Sequence, residues 1–247
     1  MKFSIIILAA GLGKRMNTPD EPKVLAKLNE QPLISYVLKT AISLKPDKIC
    51  IVVGHHKEKL IEYINKNFLE QHHFKNIEYV VQEEQLGTGH AVKCCKNNFE
   101  TYNDKILILS GDVPLLKTET LSNFIKESEE SDLSVLTSIA PNPHGYGRIL
   151  RNNEENIIGI KEEKDATDMQ KLIKEINSGI YFVNSNLLFS LLEEIKNTNN
   201  QSEFYLTDIV SLGIEKNKKI IANSIVLLKE VQGVNTTEQL KELEKLL

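Results

Sequence analysis

Three stretches of the chain carry side chains whose types and spacing suit chemistry on a phosphorylated ligand. The first is Gly11-Leu12-Gly13-Lys14-Arg15, followed shortly by Pro22-Lys23-Val24-Leu25. Glycines let a backbone turn sharply and approach a ligand closely. Loop N–H groups flanked by cations suit a polyphosphate. The loop is not a Walker A motif, because no Gly-Lys-Ser/Thr follows; nor is it a dinucleotide fingerprint, because Met16 stands where the third glycine belongs. A plain tight turn, with Lys23 as a solvated surface lysine, is the competing reading. The second stretch is Ser110-Gly111-Asp112-Val113-Pro114-Leu115. A carboxylate there suits Mg2+, which takes one or two protein oxygens and leaves its other positions to phosphate and water. A turn-forming aspartate ahead of Pro114 is the alternative. The third runs from Gln82 through Gly87, Thr88 and Gly89 to His90. Gln82 has both donors and acceptors, as reading the edge of a nucleobase requires, and Thr88 is expected to cap the helix that follows.

Each stretch follows an apolar run. Residues 5–10 form an unbroken one, which reads as a strand covered on both faces. Further strands are expected at 48–54, 77–82 and 105–110, and helices at 32–42, 57–68, 88–99 and 118–129. Such alternation calls for a parallel sheet with right-handed crossovers, whose ligands bind at the carboxyl ends of the strands. The loops at 10–22, 83–88 and 110–115 all fall at that edge. After a strand at 133–139 the regularity is lost, where Pro141, Pro143, Gly145 and Gly147 interrupt the chain. Short strands are expected at 148–151, 157–160, 179–183, 220–225 and 227–231, with helices at 187–195 and 206–216. This half is expected to form a lid or subdomain that holds a second substrate over the sheet edge. A capping-box start at Thr236 opens a last helix.

Composition narrows the partners. The 247 residues are 41% hydrophobic and 26% charged with a net charge of −4, so there is no wide basic field for nucleic acid or an anionic membrane. The N-terminal apolar run is too short for a signal peptide and ends without a cleavage site, and no run reaches the roughly 18–20 apolar residues of a membrane span. The three cysteines, Cys50, Cys94 and Cys95, cannot all pair, and the reduced cytoplasm is the expected location. His55-His56 and His72-His73 lie in charged segments and are not read as metal pairs. His90 and Cys94 are read as one face of a helix, and the runs 127–130 and 162–165 as solvated charge.

Taken in order, these motifs resemble those of the sugar-1-phosphate nucleotidyltransferases, and within them the pyrophosphorylase domain of the N-acetylglucosamine-1-phosphate uridyltransferase branch. The opening loop, Lys23 and Gly111-Asp112 belong to the superfamily at large. Gln85-Leu86-Gly87-Thr88-Gly89-His90-Ala91, Gly145-Tyr146-Gly147-Arg148-Ile149 and Lys164-Asp165-Ala166-Thr167 narrow the resemblance to that branch. Glu175-Ile176-Asn177-Ser178-Gly179-Ile180, Tyr205-Leu206-Thr207-Asp208-Ile209 and Gly233-Val234-Asn235 continue it over nearly the whole chain.

The resemblance implies an α/β fold of the nucleotide-diphospho-sugar transferase type: a Rossmann-like mixed, mostly parallel sheet flanked by helices, with a smaller sugar-binding lid. It implies transfer of UMP from UTP to N-acetylglucosamine 1-phosphate, a step toward cell-wall and lipopolysaccharide precursors. Leu8, Ala10, Gly11, Gly13, Gln82, Gly87 and Thr88 would hold the nucleotide, and Arg15 and Lys23 the reacting phosphates. Asp112 and Asn235 would bind Mg2+, while Gly147, Glu162, Asn177, Tyr205 and Thr207 would hold the sugar. The catalytic domain is expected at 1–235 and a connecting helix at 236–247. The left-handed β-helix acetyltransferase domain is expected to be absent and, without it, a monomer is favoured over the trimer. Ser110 departs from the aromatic residue that often precedes Gly-Asp in the family.

Overall fold

The computed structural model describes all residues except 12, 14, 15, 17–20, 70–75, 226, 246 and 247. Its first strand, β1 (Phe3–Leu8), shows how the sheet is built. Ile5, Ile6 and Ile7 are all fully buried, but successive side chains of a strand point to opposite faces. Ile5 and Ile7 therefore enter one core, with Ile49, Ile51, Leu107 and Leu109, and Ile6 enters another, with Cys50, Val52, Ile106 and Ile108. The short hairpin of β2 (Lys27–Leu28) and β3 (Gln31–Pro32) follows, and then α1 (Leu33–Ser43), β4 (Ile49–Val53), α2 (Lys57–Ile64), β5 (Ile77–Val81), α3 (Thr88–Lys93), β6 (Lys105–Ser110) and α4 (Thr118–Glu127). Helices α1, α2 and α4 cover the first core, and α3 lies on the second.

The chain continues through β7 (Leu133–Ile139), β8 (Arg148–Arg151), β9 (Ile157–Lys161), α5 (Asp168–Lys171), β10 (Glu175–Asn184), α6 (Ser185–Leu192), α7 (Asp208–Glu215), β11 (Ile220–Ile225) and α8 (Thr237–Glu244). Among the described residues the main sheet has nine strands, seven of them in the order β11-β7-β10-β6-β1-β4-β5. Pairings β6–β1, β1–β4, β4–β5 and β11–β7 are parallel. The mixed character comes from β10, which enters antiparallel between β6 and β7. Its first residues, Glu175–Asn177, stay paired with β7, and on the other side Ile176 pairs with Arg148 and so joins the β8–β9 hairpin of the lid to the sheet. Helices α6 and α7 complete the second core.

Several expected elements change. Residues 227–231 are not a strand but a single 3-10 turn, Leu228–Val231. The turn buries Val231 in the first core and brings the buried Glu230 carboxylate to the Thr120 hydroxyl and to Lys117. The helix expected to run from 88 to 99 stops at Lys93 and resumes as a 3-10 turn, Lys96–Phe99, which buries Phe99. The one expected at 57–68 ends at Ile64 in a wide turn, Asn65–Leu69, which buries Phe68. The short strand expected at 179–183 is the core half of β10. Helix α8 has the expected capping box, between Thr236 and Gln239.

Candidate active site

The carboxyl ends of β1, β5 and β6 open into one cleft of about 670 Å3. Leu8, Ala10, Gly11, Gly13, Gln82, Gly87 and Thr88 line it, as do Lys23, Asp112 and Asn235. Every nucleotide and metal position read from the sequence is thus on one wall or another of the same cavity, except Arg15. Arg15 lies outside the described residues, as do Lys14 and the His72-His73 pair.

Backbone geometry explains the glycines. Gly13 adopts φ +59°, and a Cβ on it would fall 2.8 Å from the Lys23 Cβ, so this position lets the lysine pass beneath the loop. Lys23 sits on a 3-10 turn (Lys23–Leu25) with its ammonium between two oxygens. It is ion-paired with the Asp112 carboxylate and donates to Asn235 Oδ1 at 2.8 Å. Lysine has no acceptor, so Asn235 must present its carbonyl oxygen there. Asp112 and Asn235 are drawn from distant parts of the chain by a backbone bond, Val234 N–H to Asp112 O at 2.9 Å, and Gln239 Oε1 accepts from the Asn235 N–H at 2.7 Å.

Gly87 has φ +110°, and a Cβ there would lie 2.6 Å from the Phe204 carbonyl oxygen. That carbonyl accepts from the Gly89 N–H at 2.7 Å, and the Phe204 N–H donates to Leu86 O at 2.7 Å. The glycine stretch is therefore sewn onto the segment leading to α7. Gly87, not Thr88, occupies the N-cap of α3. Only glycine takes that backbone conformation without strain, and it moves Thr88 to the first helical position. The Thr88 hydroxyl accepts instead from the Leu206 N–H at 3.1 Å.

The expected sugar residues gather in the lid, with one exception. A Cβ on Gly147 would lie 3.5 Å from the Asn177 Cβ and 3.6 Å from Glu162 Oε2, and the Asn177 N–H donates to Gly147 O at 2.9 Å. Asn177 is fixed at both ends of its amide: Oδ1 accepts from the Gly179 N–H at 3.0 Å and Nδ2 donates to the Tyr181 hydroxyl at 2.8 Å. The Thr207 hydroxyl donates to Glu162 Oε1 at 3.1 Å. Tyr205 is the exception; it is buried, and its hydroxyl accepts from Gln201 Nε2 at 2.9 Å, so it backs the site. The lid and the cleft meet at the β10 bulge, where a Cβ on Gly179 would lie 3.6 Å from the Ser110 hydroxyl.

Within the run 162–165 only Lys164 is exposed; Glu162, Glu163 and Asp165 are partly buried. Burial pushes the Glu162 carboxyl up, the Thr207 hydroxyl works against that, and Asp208, Asp165 and Glu203 reinforce the rise. Glu163 pairs with Arg148 at 2.7 Å, and Asp165 Oδ1 accepts from the Asn200 N–H at 2.9 Å. The raised Glu162 value has a consequence for stability. The folded state holds this proton more tightly than the unfolded chain does. The associated stability is present in full below the ordinary value of 4.5 and is lost as pH rises through the folded value. Glu162→Gln keeps the acceptor for Thr207 and removes the buried charge. It is expected to raise Tm by a few degrees at pH 7.5, with the gain vanishing below pH 4.5, in thermal scans across that range.

Other contributors were not singled out. Gln201 and Glu203 line the cleft from a turn that the Asn199 side chain folds, its Nδ2 donating to Glu203 O at 2.6 Å. Their only sequence signal is the turn-forming Asn199-Asn200 pair. Tyr146, beside Gly147, has its phenol pushed up by burial and by the charge of Asp112.

A sequence profile described as nucleotidyl transferase matches residues 4–224. A protein named bifunctional protein GlmU from Francisella tularensis subsp. novicida is 43% identical over 245 residues, covering 99% of this chain and 51% of that protein. The namesake from Francisella tularensis subsp. holarctica (strain OSU18) matches equally, at 43% over the same shares. The chain thus spans about half the length of the curated relatives it matches. Among solved structures, a UDP-glucose pyrophosphorylase complexed with UDP-glucose superposes with a TM-score of 0.78 at 20% identity, over 100% of this chain and 98% of that one. A putative glucose-1-phosphate thymidylyltransferase from Bacillus anthracis does so with 0.76 at 20%, over 99% and 94%. At such identity these two share the fold.

Proposed function

Because the chain belongs to the nucleotidyl transferase family, we propose that it transfers a uridylyl group from UTP to N-acetylglucosamine 1-phosphate, releasing pyrophosphate and UDP-N-acetylglucosamine. The observation that carries this reading is the position of Lys23. A cationic head group already sits between a carboxylate and a carboxamide oxygen, at the end of a cleft lined by glycine backbone. These are hard oxygen donors that converge on a cation and are few enough to leave room for phosphate, which fits Mg2+. Asp112 and Asn235 would hold it, and when bound it supplies charge neutralisation at the triphosphate.

The chain's own residues do the rest. Leu8, Ala10 and Gln82 enclose the uridine, and Gly11 and Gly13 bring backbone N–H groups to the phosphates. The lid set Gly147, Glu162, Asn177 and Thr207 orients the sugar, with Tyr205 behind it. The phosphate oxygen of the sugar phosphate attacks the α-phosphorus in line, opposite the departing pyrophosphate. Its bond to phosphorus forms as the bond from the α-phosphorus to the bridging oxygen breaks. Lys23 and Arg15 stabilise the charge that accumulates. The attacking phosphate is already ionised, so no general base is needed. No described helix is long and apolar enough to cross a membrane. The three cysteines are free, and we place the activity in the cytoplasm.

Pyrophosphate release over a panel of nucleotides and sugar phosphates tests the reading. Turnover is expected with UTP and N-acetylglucosamine 1-phosphate, and to fall at least tenfold in kcat/KM when either is replaced by dTTP, CTP or glucose 1-phosphate. Equal or better turnover of another pair would move the protein elsewhere in the family. Binding of UDP-N-acetylglucosamine with no release from any pair would make it a sensor.

A further inference from the structure

Gln82 is 3% exposed and reaches the cleft from the end of β5. Its amide is held from two sides. Nε2 donates to the Gly87 carbonyl at 3.1 Å and lies 3.1 Å from His90 Nδ1. A backbone carbonyl only accepts, so the atom facing Gly87 is the nitrogen. His90 lies in the first turn of α3, and its other ring nitrogen, Nε2, is 3.9 Å from the Cys94 sulfur. If Nε2 carries the ring proton toward that sulfur, Nδ1 is a free acceptor, and both N–H bonds of Gln82 are used. What remains for a ligand is Oε1 alone.

We propose that His90 is a positioning residue for base selectivity: it locks Gln82 so that this amide meets the base with an acceptor and no donor. Uracil offers an N–H at N3 and matches. Cytosine offers a lone pair there and is opposed by Oε1. Thymine has the same N3–H as uracil, so the lock does not separate the two. A flipped amide would suit cytosine, but it would lose the His90 bond and set two oxygens against each other at Gly87. The inference rests on the uridylyl reading and deepens it.

The test compares wild type, H90F and H90N. Phenylalanine keeps a ring beside Phe204, which lies 6.5 Å from His90 between centroids, but removes the acceptor. The Oδ1 of asparagine can stand where Nδ1 stood. In H90F the ratio of kcat/KM for UTP over CTP is expected to fall about five- to tenfold, and the ratio of equilibrium Kd values to fall with it. The UTP-to-dTTP ratio should stay fixed, and H90N should restore the UTP-to-CTP ratio. A merely structural role would weaken all three nucleotides together; an unchanged UTP-to-CTP ratio in a folded H90F overturns the inference and leaves the uridylyl reading standing. Failure of the wild-type enzyme to prefer UTP overturns that reading, and the inference with it. The unmodified protein offers a check independent of any variant's folding. Nitrogen-15 NMR should show an unprotonated Nδ1 and a protonated Nε2 at His90, and the reverse tautomer excludes the lock.

Discussion

Replacing Asp112 by alanine is expected to lower turnover of UTP and N-acetylglucosamine 1-phosphate by about 10^3-fold or more at saturating Mg2+. The size of the effect follows from the carboxylate's double role. It is the sole charged oxygen donor in the pair that faces the Lys23 ammonium, and it fixes where that ammonium sits. Without it the cation site keeps one neutral carboxamide, and Lys23 loses its ion-pair partner just where phosphate charge must be compensated. The fold should survive, because the bond that ties the two loops together runs from the Val234 N–H to the backbone carbonyl of residue 112, which alanine also has. Asp112→Asn separates charge from shape: it keeps an oxygen for Lys23 and should still lose most of the rate. Initial rates and Mg2+ titrations on both variants check this, with far-UV circular dichroism to show folding. Near-normal turnover of Asp112→Ala would remove the residue from the site.

Glu163→Ala should cost about 3 kcal/mol of stability, a fall in Tm of about 6–12 °C for a domain of this size. Its partner Arg148 is 1% exposed, so the guanidinium depends on the groups the fold brings to it. Those are Glu163 at 2.7 Å, the Tyr146 carbonyl and the Lys171 carbonyl at 3.3 Å. Only Glu163 is charged, and removing it leaves a buried cation with no counter-charge. Burial raises the Glu163 carboxyl, but the bonds from Arg148 and the Gly145 N–H outweigh this and hold it below the ordinary 4.5. Its stabilisation is therefore present above the unfolded value and is lost as pH falls through the lower folded one. The gap between wild type and Glu163→Ala should accordingly close in acid. The double variant Arg148→Met/Glu163→Ala should lose less than the two single losses combined, because the orphaned charge is gone. Thermal unfolding from pH 7.5 downward measures all of this, and a Glu163→Ala protein within about 1 °C of wild type would refute it.

What could be read from the sequence was whatever a local pattern encodes. The apolar runs at β1, β4 and β6 carry no alternation because both faces of each strand are covered, and that absence of alternation is the signal. Asp112 could be set at the sheet edge because it follows such a run closely, and Lys23 because it closes the glycine loop that leaves β1. Asn235 could not: nothing in Gly233-Val234-Asn235 indicates chemistry, and its partner is 212 positions away at Lys23, so only family resemblance pointed to it. The direction of β10 was equally hidden, since a buried run reads the same whether its neighbours are parallel or antiparallel. Glu162 and Glu163 read as surface charge because a run of acids does not reveal which of them turns inward. Thr88 reads as an N-cap one residue late, as an N-cap hydroxyl and a first-turn hydroxyl look alike until the φ of Gly87 is known.

The course of β10 constrains how this chain can diverge. One uninterrupted strand carries the core pairing of Ile180–Asn184 and the lid residues Glu175–Asn177, with a single slip in register between them. Inserting or deleting one residue on the core side would turn Asn177 to the opposite face and drag the β8–β9 hairpin with it. Lineages that change sugar preference are therefore expected to keep the length of this strand and to exchange side chains at its lid end. Selection on substrate and selection on foldability act on the same ten residues, and only the former has room to move.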